Sequence, residues 1–343
     1  MSIADFSKEN NPHVRVLEGG YTLSNLKTLL KVADEHKFGI PACNARSKWI
    51  INAILDAAWE ENAPIILEIA ESEAIYCDMA PAKLSDLVHE GVNARIKKHG
   101  YSVPVCLHHD HIQKDVDGCI QASIDAGFSS VEVDLSKLSL EENAAKCKEV
   151  SEKIHPLGMS LEVEDGEIGN AAALADPDVE NTISQYYTKT EEAKKLCEIT
   201  TPEAIAFFVG NGHGNYLKEP IIGFDRIKEI CDAVRPLKVY GVMHGGSGLS
   251  PEVFNKCIES GARKFNYATS ISDIWFKHFP QELLDTIDAK AKEMERPRRK
   301  VLYLFQDEIE KINHSEAEKE MKEHLKMMFR DAFKSAGKAD LYG

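Results

Sequence analysis

The stretch "PVCLHHDHIQ" (residues 104–113) sets three histidines and an aspartate in four consecutive positions at the end of an apolar run. Neutral imidazoles hold borderline cations such as Zn²⁺, and a carboxylate beside them can move protons, so the cluster suits metal binding combined with acid/base work. Further histidines stand in glycine-rich surroundings, His213 in "GNGHGNY" and His244 in "VMHGGSGLS". A catalytic metal site needs about three protein ligands and one open position. His111, His213 and His244 form such a set if the fold brings three strand ends together. Side chains alternate along a strand, so the four neighbours His108 to His111 cannot all face inward. His109 and His111 share one face, and either is a candidate ligand.

A second group of residues suits an anion. "HGGSGLSPE" (244–252) is a glycine-rich turn that runs into a helix, and "NYATS" (266–270) adds small hydroxyls. Backbone N–H groups at such turns and helix starts can surround phosphate oxygens.

The elements that must carry these residues alternate regularly. Candidate strands occupy 38–43, 64–70, 104–109, 130–135, 159–164, 204–210, 238–244 and 263–268, with amphipathic helical segments between them. "VDGCIQASIDAG" stops at Gly127, and Ser250-Pro251 makes a capped helix start. Eight βα units predict an α/β fold, a closed (β/α)₈ TIM barrel with additional C-terminal helices, rather than an open doubly wound sheet. The expected organisation is a single barrel domain over 1–343, with an N-terminal helix at about 22–37 and a helical C-terminal extension at about 290–343. Active sites of such barrels lie at the C-terminal strand ends, where this sequence puts Asn44, His108 to His111, Asp134, Glu164, His213, His244 and Asn266. The 25 residues from Asp165 to Lys189 far exceed the roughly 2–6 usual in a βα connection, which predicts a functional lid or a disordered loop.

Composition narrows the partners. Lys plus Arg number 41 against 56 Asp plus Glu, a formal charge of -15 that argues against phosphate-driven binding of nucleic acid. The opening "MSIADFSKENNPHVR" has no apolar signal core, and no run approaches a membrane span of roughly 20 apolar residues, so a cytoplasmic protein is expected. Eight scattered cysteines without CxxC spacing read as reduced core residues.

Five motifs in order, "LHHDHIQ", "LEVEDGEIGN", "GNGHGNY", "VMHGGSGLS" and "KFNYATS", resemble those of the class II, metal-dependent fructose-bisphosphate and tagatose-bisphosphate aldolases over about residues 21–285. "FGIPACNARS" and "APIILEI" are similar to that family's first two strands. The resemblance implies Asp110 as catalytic acid/base and Asn266 as a residue that meets the reacting carbons. It implies His111, His213 and His244 as ligands of Zn²⁺ or another divalent metal, with Asp134 and Glu164 as acidic positions near the metal and a monovalent cation as a second candidate ion. Asn44, Gly214, Gly245, Ser247, Lys264, Ala268 and Thr269 would match the phosphate and substrate cradle. A sugar phosphate substrate and a homo-oligomer, dimer or tetramer, follow from the same likeness. The chemistry agrees: cleaving C3–C4 of a ketose 1-phosphate to dihydroxyacetone phosphate and an aldehyde leaves an enediolate, which a Lewis acid on the C2 carbonyl stabilises.

Two departures stand out. "EIAESEA" (68–74) replaces a Gln and a Ser/Gly-rich segment of the family, and carboxylates at Glu68, Glu71 and Glu73 oppose a distal phosphate. The expectation is a preference for a non-phosphorylated aldehyde, with Arg46, Glu68 and Glu71 as acceptor-side candidates and Arg46 or Lys48 able to offset the charge. "EDGEIGN" stands for the family's "ELGxxGG", leaving Glu167, Glu180, Tyr186 and Tyr187 as candidates for an acid in the long loop. Two alternative readings compete. A barrel metal-dependent hydrolase would use the HxH of His109-Asp110-His111, and a non-catalytic sugar-phosphate-binding partner subunit would stabilise a separate aldolase.

Overall fold

Short apolar runs and amphipathic segments resolve into eight parallel strands closed in chain order: β1 (Ile40–Asn44), β2 (Ile65–Ala70), β3 (Val105–Ile112), β4 (Ser130–Val133), β5 (Ser160–Asp165), β6 (Ala204–Phe207), β7 (Tyr240–Met243) and β8 (Ala262–Asn266). The structure, a computed structural model, describes residues 10–180 and 182–342, so the first nine residues of the polar opening segment lie outside it. The predicted barrel is present, with every strand located to within a few residues.

Helix α1 (Leu26–His36) precedes β1; α2 (Lys48–Glu60) follows it, and α3 (Glu71–Tyr76) and α4 (Pro81–His99) follow β2. Then come α5 (Val116–Asp125), α6 (Leu140–Ile154), a turn α7 (Pro177–Glu180) within the long connection, α8 (Thr190–Thr200), α9 (Phe224–Val234), α10 (Pro251–Ser260) and α11 (Thr269–Lys277). The extension adds α12 (Gln281–Glu293), α13 (Gln306–Ile309) and α14 (Ser315–Met327). The start at Ser250-Pro251 is as read: the Ser250 hydroxyl accepts from Val253 N–H, and proline occupies the first turn.

Strand periodicity sorts the residues into two cores. Odd-numbered apolar residues, such as Leu67, Leu107, Val131, Val163 and Phe265, face the helices, whereas Ile40, Ala42, Ile66, Cys106, Ala204 and Val242 fill the barrel floor. Helix α1 closes that floor with Leu26, Leu29, Leu30 and Ala33, one apolar stripe at helical spacing. Its N-terminus is capped by Asn25, whose side chain accepts from Thr28 N–H at 3.0 Å. Above the floor the interior turns polar, and Glu68, His108, Glu162 and Lys264 are all fully buried. All eight cysteines are unpaired, seven of them buried. Among the described residues no helix is long and apolar enough to cross a membrane.

Candidate metal centre and acid/base site

Strand β3 supplies the centre by breaking its own alternation. His108 points inward, with Nδ1 2.8 Å from Ser130 Oγ, and His109 points outward to Ser123 Oγ at 2.7 Å. Asp110 points inward again. His111 should then follow His109, but the β3–β4 register shifts between His109 and Ile112 and His111 takes φ +45°. This bulge turns His111 into the mouth beside Asp110. A left-handed backbone costs a non-glycine residue about 1–2 kcal/mol, and the freed His111 N–H is satisfied by Glu132 Oε2 at 3.0 Å. His109 is therefore excluded as a ligand, and with it the HxH pair of a hydrolase.

His213 and His244 arrive from loops after β6 and β7. Strand β6 ends at Phe207, short of the predicted 210, because Gly210 adopts φ +96° and Asn211 turns the chain, accepting from Val209 N–H at 2.8 Å and donating to His244 O at 3.1 Å. The His213 backbone pairs with the long loop in a parallel bridge, accepting from Ala171 N–H and donating to Gly169 O, both at 2.9 Å. That loop carries short helical turns at Ala171–Ala175 and Ile183–Tyr186. Of the loop candidates, Glu167 pairs with Lys137 at 3.2 Å, the Tyr187 hydroxyl donates to Ile221 O and Tyr186 is exposed; the Glu180 side chain lies outside what is described.

The three imidazoles converge, with ring centroids 4.9 Å apart for His111 and His213, 4.5 Å for His111 and His244, and 5.9 Å for His213 and His244. One nitrogen from each lies within 4.8 Å of the others. Carboxylates orient the rings: Asp134 Oδ2 is 3.3 Å from His111 Nδ1, Glu162 Oε1 is 3.1 Å from His244 Nε2, and Glu164 Oε2 is 3.1 Å from His244 Nδ1. Burial holds His213 neutral, its pKa pushed down to about 3 with help from His111 and His244. Burial also opposes charge on His244, but Glu132, Glu162 and Glu164 outweigh it and push it up to about 10. His111 is raised well above its usual range in the same way, by Glu132, Asp110 and Asp134. The cage thus attracts positive charge, His111 Nε2 is buried without a hydrogen bond, and the donors are imidazole and carboxylate. On each count a divalent metal fits.

Asp110 sits against this centre, with Oδ2 4.0 Å from His111 Nε2 and Oδ1 accepting from Asn266 Nδ2 at 2.9 Å. Burial disfavours its ionised form, but His111, Lys264 and His244 outweigh that and hold the carboxyl well below its usual range. Burial raises the Glu132 carboxyl beside it well above its usual range. The reading of single strand ends missed Glu132, Glu162 and Asn211. The first two were signalled by charge at inward positions of apolar strands, in "SVEV" and "SLEVE".

On the other side of the mouth, Gly245 adopts φ +70°, and a Cβ there would lie 2.1 Å from Gly212 O. Ser247 Oγ accepts from Ala268 N–H and Ser270 N–H, both at 3.2 Å, joining the glycine-rich turn to the start of α11 at Thr269. Gly214, at φ +95°, opens onto space.

Four expectations need correction. Lys264 is not part of this cradle: its ammonium is buried in the barrel interior between Glu162 and Asn266. Glu68 lies in the same interior, and burial raises its pKa to about 8, so it carries no fixed charge at the mouth. Glu71 accepts backbone N–H groups of Gln113, Lys114 and Asp115 at 2.8, 2.9 and 3.0 Å, fixing the turn into α5. Arg46 is consumed by Glu73, with Nε 2.7 Å from Oε1, and by Ser272 Oγ, while Asn44 Nδ2 donates to Glu73 Oε2 at 2.6 Å. Glu73 is therefore matched by Arg46 and Glu68 is drawn into the interior, whereas Glu71 keeps its charge on backbone N–H groups, so the argument for repulsion of a distal phosphate loses two of its three charges.

A parallel barrel whose mouth gathers three imidazoles around an ionised aspartate, beside a glycine-rich turn and a helix start, belongs to the class of barrel enzymes built for Lewis-acid chemistry on an anionic substrate. The family model described as Fructose-bisphosphate aldolase class-II matches residues 24–338. A fructose-bisphosphate aldolase of Staphylococcus aureus is 34% identical over 250 residues, covering 72% of this chain and 81% of that one. A sulfofructosephosphate aldolase of Alkalicoccus urumqiensis is 33% identical over 261 residues, covering 76% and 85%. Among solved structures, the YdjI aldolase from Escherichia coli K12 is similar with a TM-score of 0.67 at 25% identity, over 92% of this chain and 99% of that one. The chain belongs to the class II fructose-bisphosphate aldolase family. It is a metal-dependent aldolase, a carbon–carbon lyase, and neither the hydrolase nor the non-catalytic subunit is favoured.

Proposed function

We propose that this aldolase uses Zn²⁺ held by His111, His213 and His244 to cleave a ketose 1-phosphate between C3 and C4, or to form it from dihydroxyacetone phosphate and an aldehyde. The observation that carries this reading is the convergence of three imidazoles next to an ionised Asp110. A bound divalent cation supplies Lewis-acid stabilisation of the ketone oxygen and of the charge that develops there. Asp110 accepts the C4 hydroxyl proton as the C3–C4 bond breaks and returns it in the condensation direction. Asn266 faces the reacting carbons, and Asn44 faces them from β1. Gly214, Gly245, Ser247, Ala268 and Thr269 hold the ketone-side phosphate through backbone N–H groups and hydroxyls. Asp134 and Glu164 hold the metal-side imidazoles in place, and a monovalent cation near the phosphate is a further candidate ion.

With Glu68 in the interior and Glu73 paired with Arg46, Glu71 is the one carboxylate of that run that keeps its charge, and its oxygens are turned to the backbone N–H groups of the turn into α5. Two relatives named above carry substrates with an anionic distal group in their names, a bisphosphate and a sulfo sugar phosphate. We therefore read the acceptor side as tolerant of a distal anion. The protein is read as a cytoplasmic homo-oligomer, dimer or tetramer, which sedimentation of the purified chain tests. The deciding experiment is elemental analysis combined with a panel of aldehydes and dihydroxyacetone phosphate. About one zinc per chain and chelator-sensitive carbon–carbon bond formation are expected, as is a kcat/KM for fructose 1,6-bisphosphate no lower than for fructose 1-phosphate. Full activity after exhaustive chelation would refute the metal assignment, and a strong preference for the monophosphate would restore the repulsion argument.

A further inference from the structure

Lys264 sits where neither phosphate binding nor packing explains it. Its side chain is fully buried, and its ammonium lies 3.1 and 3.0 Å from the two Glu162 oxygens, 2.8 Å from Asn266 Oδ1, 3.5 Å from Glu68 Oε2 and 3.8 Å from Asp110 Oδ1. An ammonium has donors only, and an ionised carboxylate has acceptors only. The Asn266 amide stands between the two, so its orientation is forced: the carbonyl turns to Lys264, and the NH₂ turns to Asp110 Oδ1 at 2.9 Å. A reversed amide would set NH₂ against the ammonium and carbonyl oxygen against the carboxylate. Desolvating an ammonium offsets much of what its ion pairs return, so net stability is a weak reason to keep one in a barrel core.

We propose that Lys264 is a positioning residue for the cleavage step, acting through the Asn266 amide to anchor Asp110 by one oxygen and present the other to the substrate hydroxyl. The inference rests on the reading of Asp110 as the acid/base. In that step the C4 O–H proton passes to Asp110 Oδ2, the C4–O pair forms the aldehyde carbonyl, and the C3–C4 pair stays with the dihydroxyacetone phosphate fragment as its enediolate. Lys264 exchanges no proton; it fixes geometry. Exchange of the carbon-bound proton of dihydroxyacetone phosphate with solvent needs no C4 hydroxyl. It therefore bypasses the oxygen that Lys264 helps to aim.

The test compares Lys264→Met, the double change Lys264→Met with Glu68→Gln, which also removes the titratable carboxyl that faces the lost ammonium, and Asp110→Asn. Cleavage kcat, KM for the ketose phosphate, proton exchange into dihydroxyacetone phosphate and bound metal are measured on each. Both Lys264 variants should lose cleavage kcat by about 10²-fold, as Asp110→Asn does, while KM, metal content and proton exchange stay within about fivefold of the parent. Parallel loss of cleavage and exchange, or failure of both Lys264 variants to yield soluble protein, would make Lys264 a structural residue and overturn the proposal. A raised KM with kcat retained would return it to the phosphate cradle. Cleavage lost in Asp110→Asn but kept in both Lys264 variants would sink the positioning role alone, whereas cleavage kept in Asp110→Asn would sink the underlying reading.

Discussion

Asp110 and His111 are neighbours in the chain that face the same mouth, and their environments divide the labour. Asp110 is anchored through one oxygen, and Lys264 with the flanking His111 and His244 holds its carboxyl well below the usual range, as suits a proton acceptor. His111 has a buried Nε2 with no hydrogen bond and an Nδ1 steered by Asp134, as suits a ligand. Asp110→Asn is therefore expected to keep the metal and the fold while lowering kcat by roughly 10²-fold or more. His111→Ala should lose the metal, with activity falling in step with metal content. Equal metal loss in the two variants, read by elemental analysis, would reassign Asp110 to structure.

At the scale of elements, the bulge in β3 and the turn after β7 are both backbone devices. Gly245→Ala would place a Cβ 2.1 Å from Gly212 O at a positive φ. The cost should be about 1–3 kcal/mol, read from a denaturant midpoint, together with weaker binding of dihydroxyacetone phosphate if the turn holds its phosphate as proposed. Ser247→Ala removes only a hydroxyl that accepts two backbone N–H groups at the start of α11. It should cost about 1 kcal/mol and raise KM. If Gly245→Ala left both stability and binding unchanged, the turn would have no role in the cradle. The C-terminal extension is structural at the same scale. Gly39 N–H donates to Phe333 O at 2.8 Å beside β1, and Gly337 N–H donates to Glu61 O at 2.7 Å at the end of α2. Met321, Leu325, Phe329 and Phe333 are buried with it. Removing residues after Phe305 is expected to leave an insoluble barrel, checked by circular dichroism and solubility.

Across the whole molecule, several histidines are buried in their neutral form. Burial pushes His89 down to about 4, and His109 likewise to about 4. His89 Nδ1 lies 2.7 Å from Ser85 O on α4, outside the site. A pKa lower in the folded than in the unfolded protein means that stability is fully present above about 6.5, the unfolded value, and is lost as pH falls through the range down to about 4. Denaturant unfolding should therefore show lower stability at pH 5 than at pH 7.5, by on the order of 1 kcal/mol or more per such histidine. His89→Gln should shrink that difference, whatever it does to stability at pH 7.5. An unchanged difference would mean that His89 is already protonated in the fold.

The sequence by itself determined the parts of this protein that depend on local repetition. Alternating apolar runs and amphipathic segments were enough for eight strands and a closed barrel, because burial on both faces of a parallel sheet imposes that pattern residue by residue. Polar residues just past each run were enough to gather His213, His244, Asn266 and Asp134 on one face. Only the tertiary structure could decide between His109 and His111, because a bulge stabilised by Glu132 on the next strand overrides the local alternation rule. It alone could move Lys264 from the phosphate cradle to the core, and it alone could show that Glu71 and Glu73 are already engaged by backbone N–H groups and Arg46. A side chain's charge is written in the sequence, but whether that charge reaches a substrate depends on partners brought from other strands, and those are set by closure of the barrel.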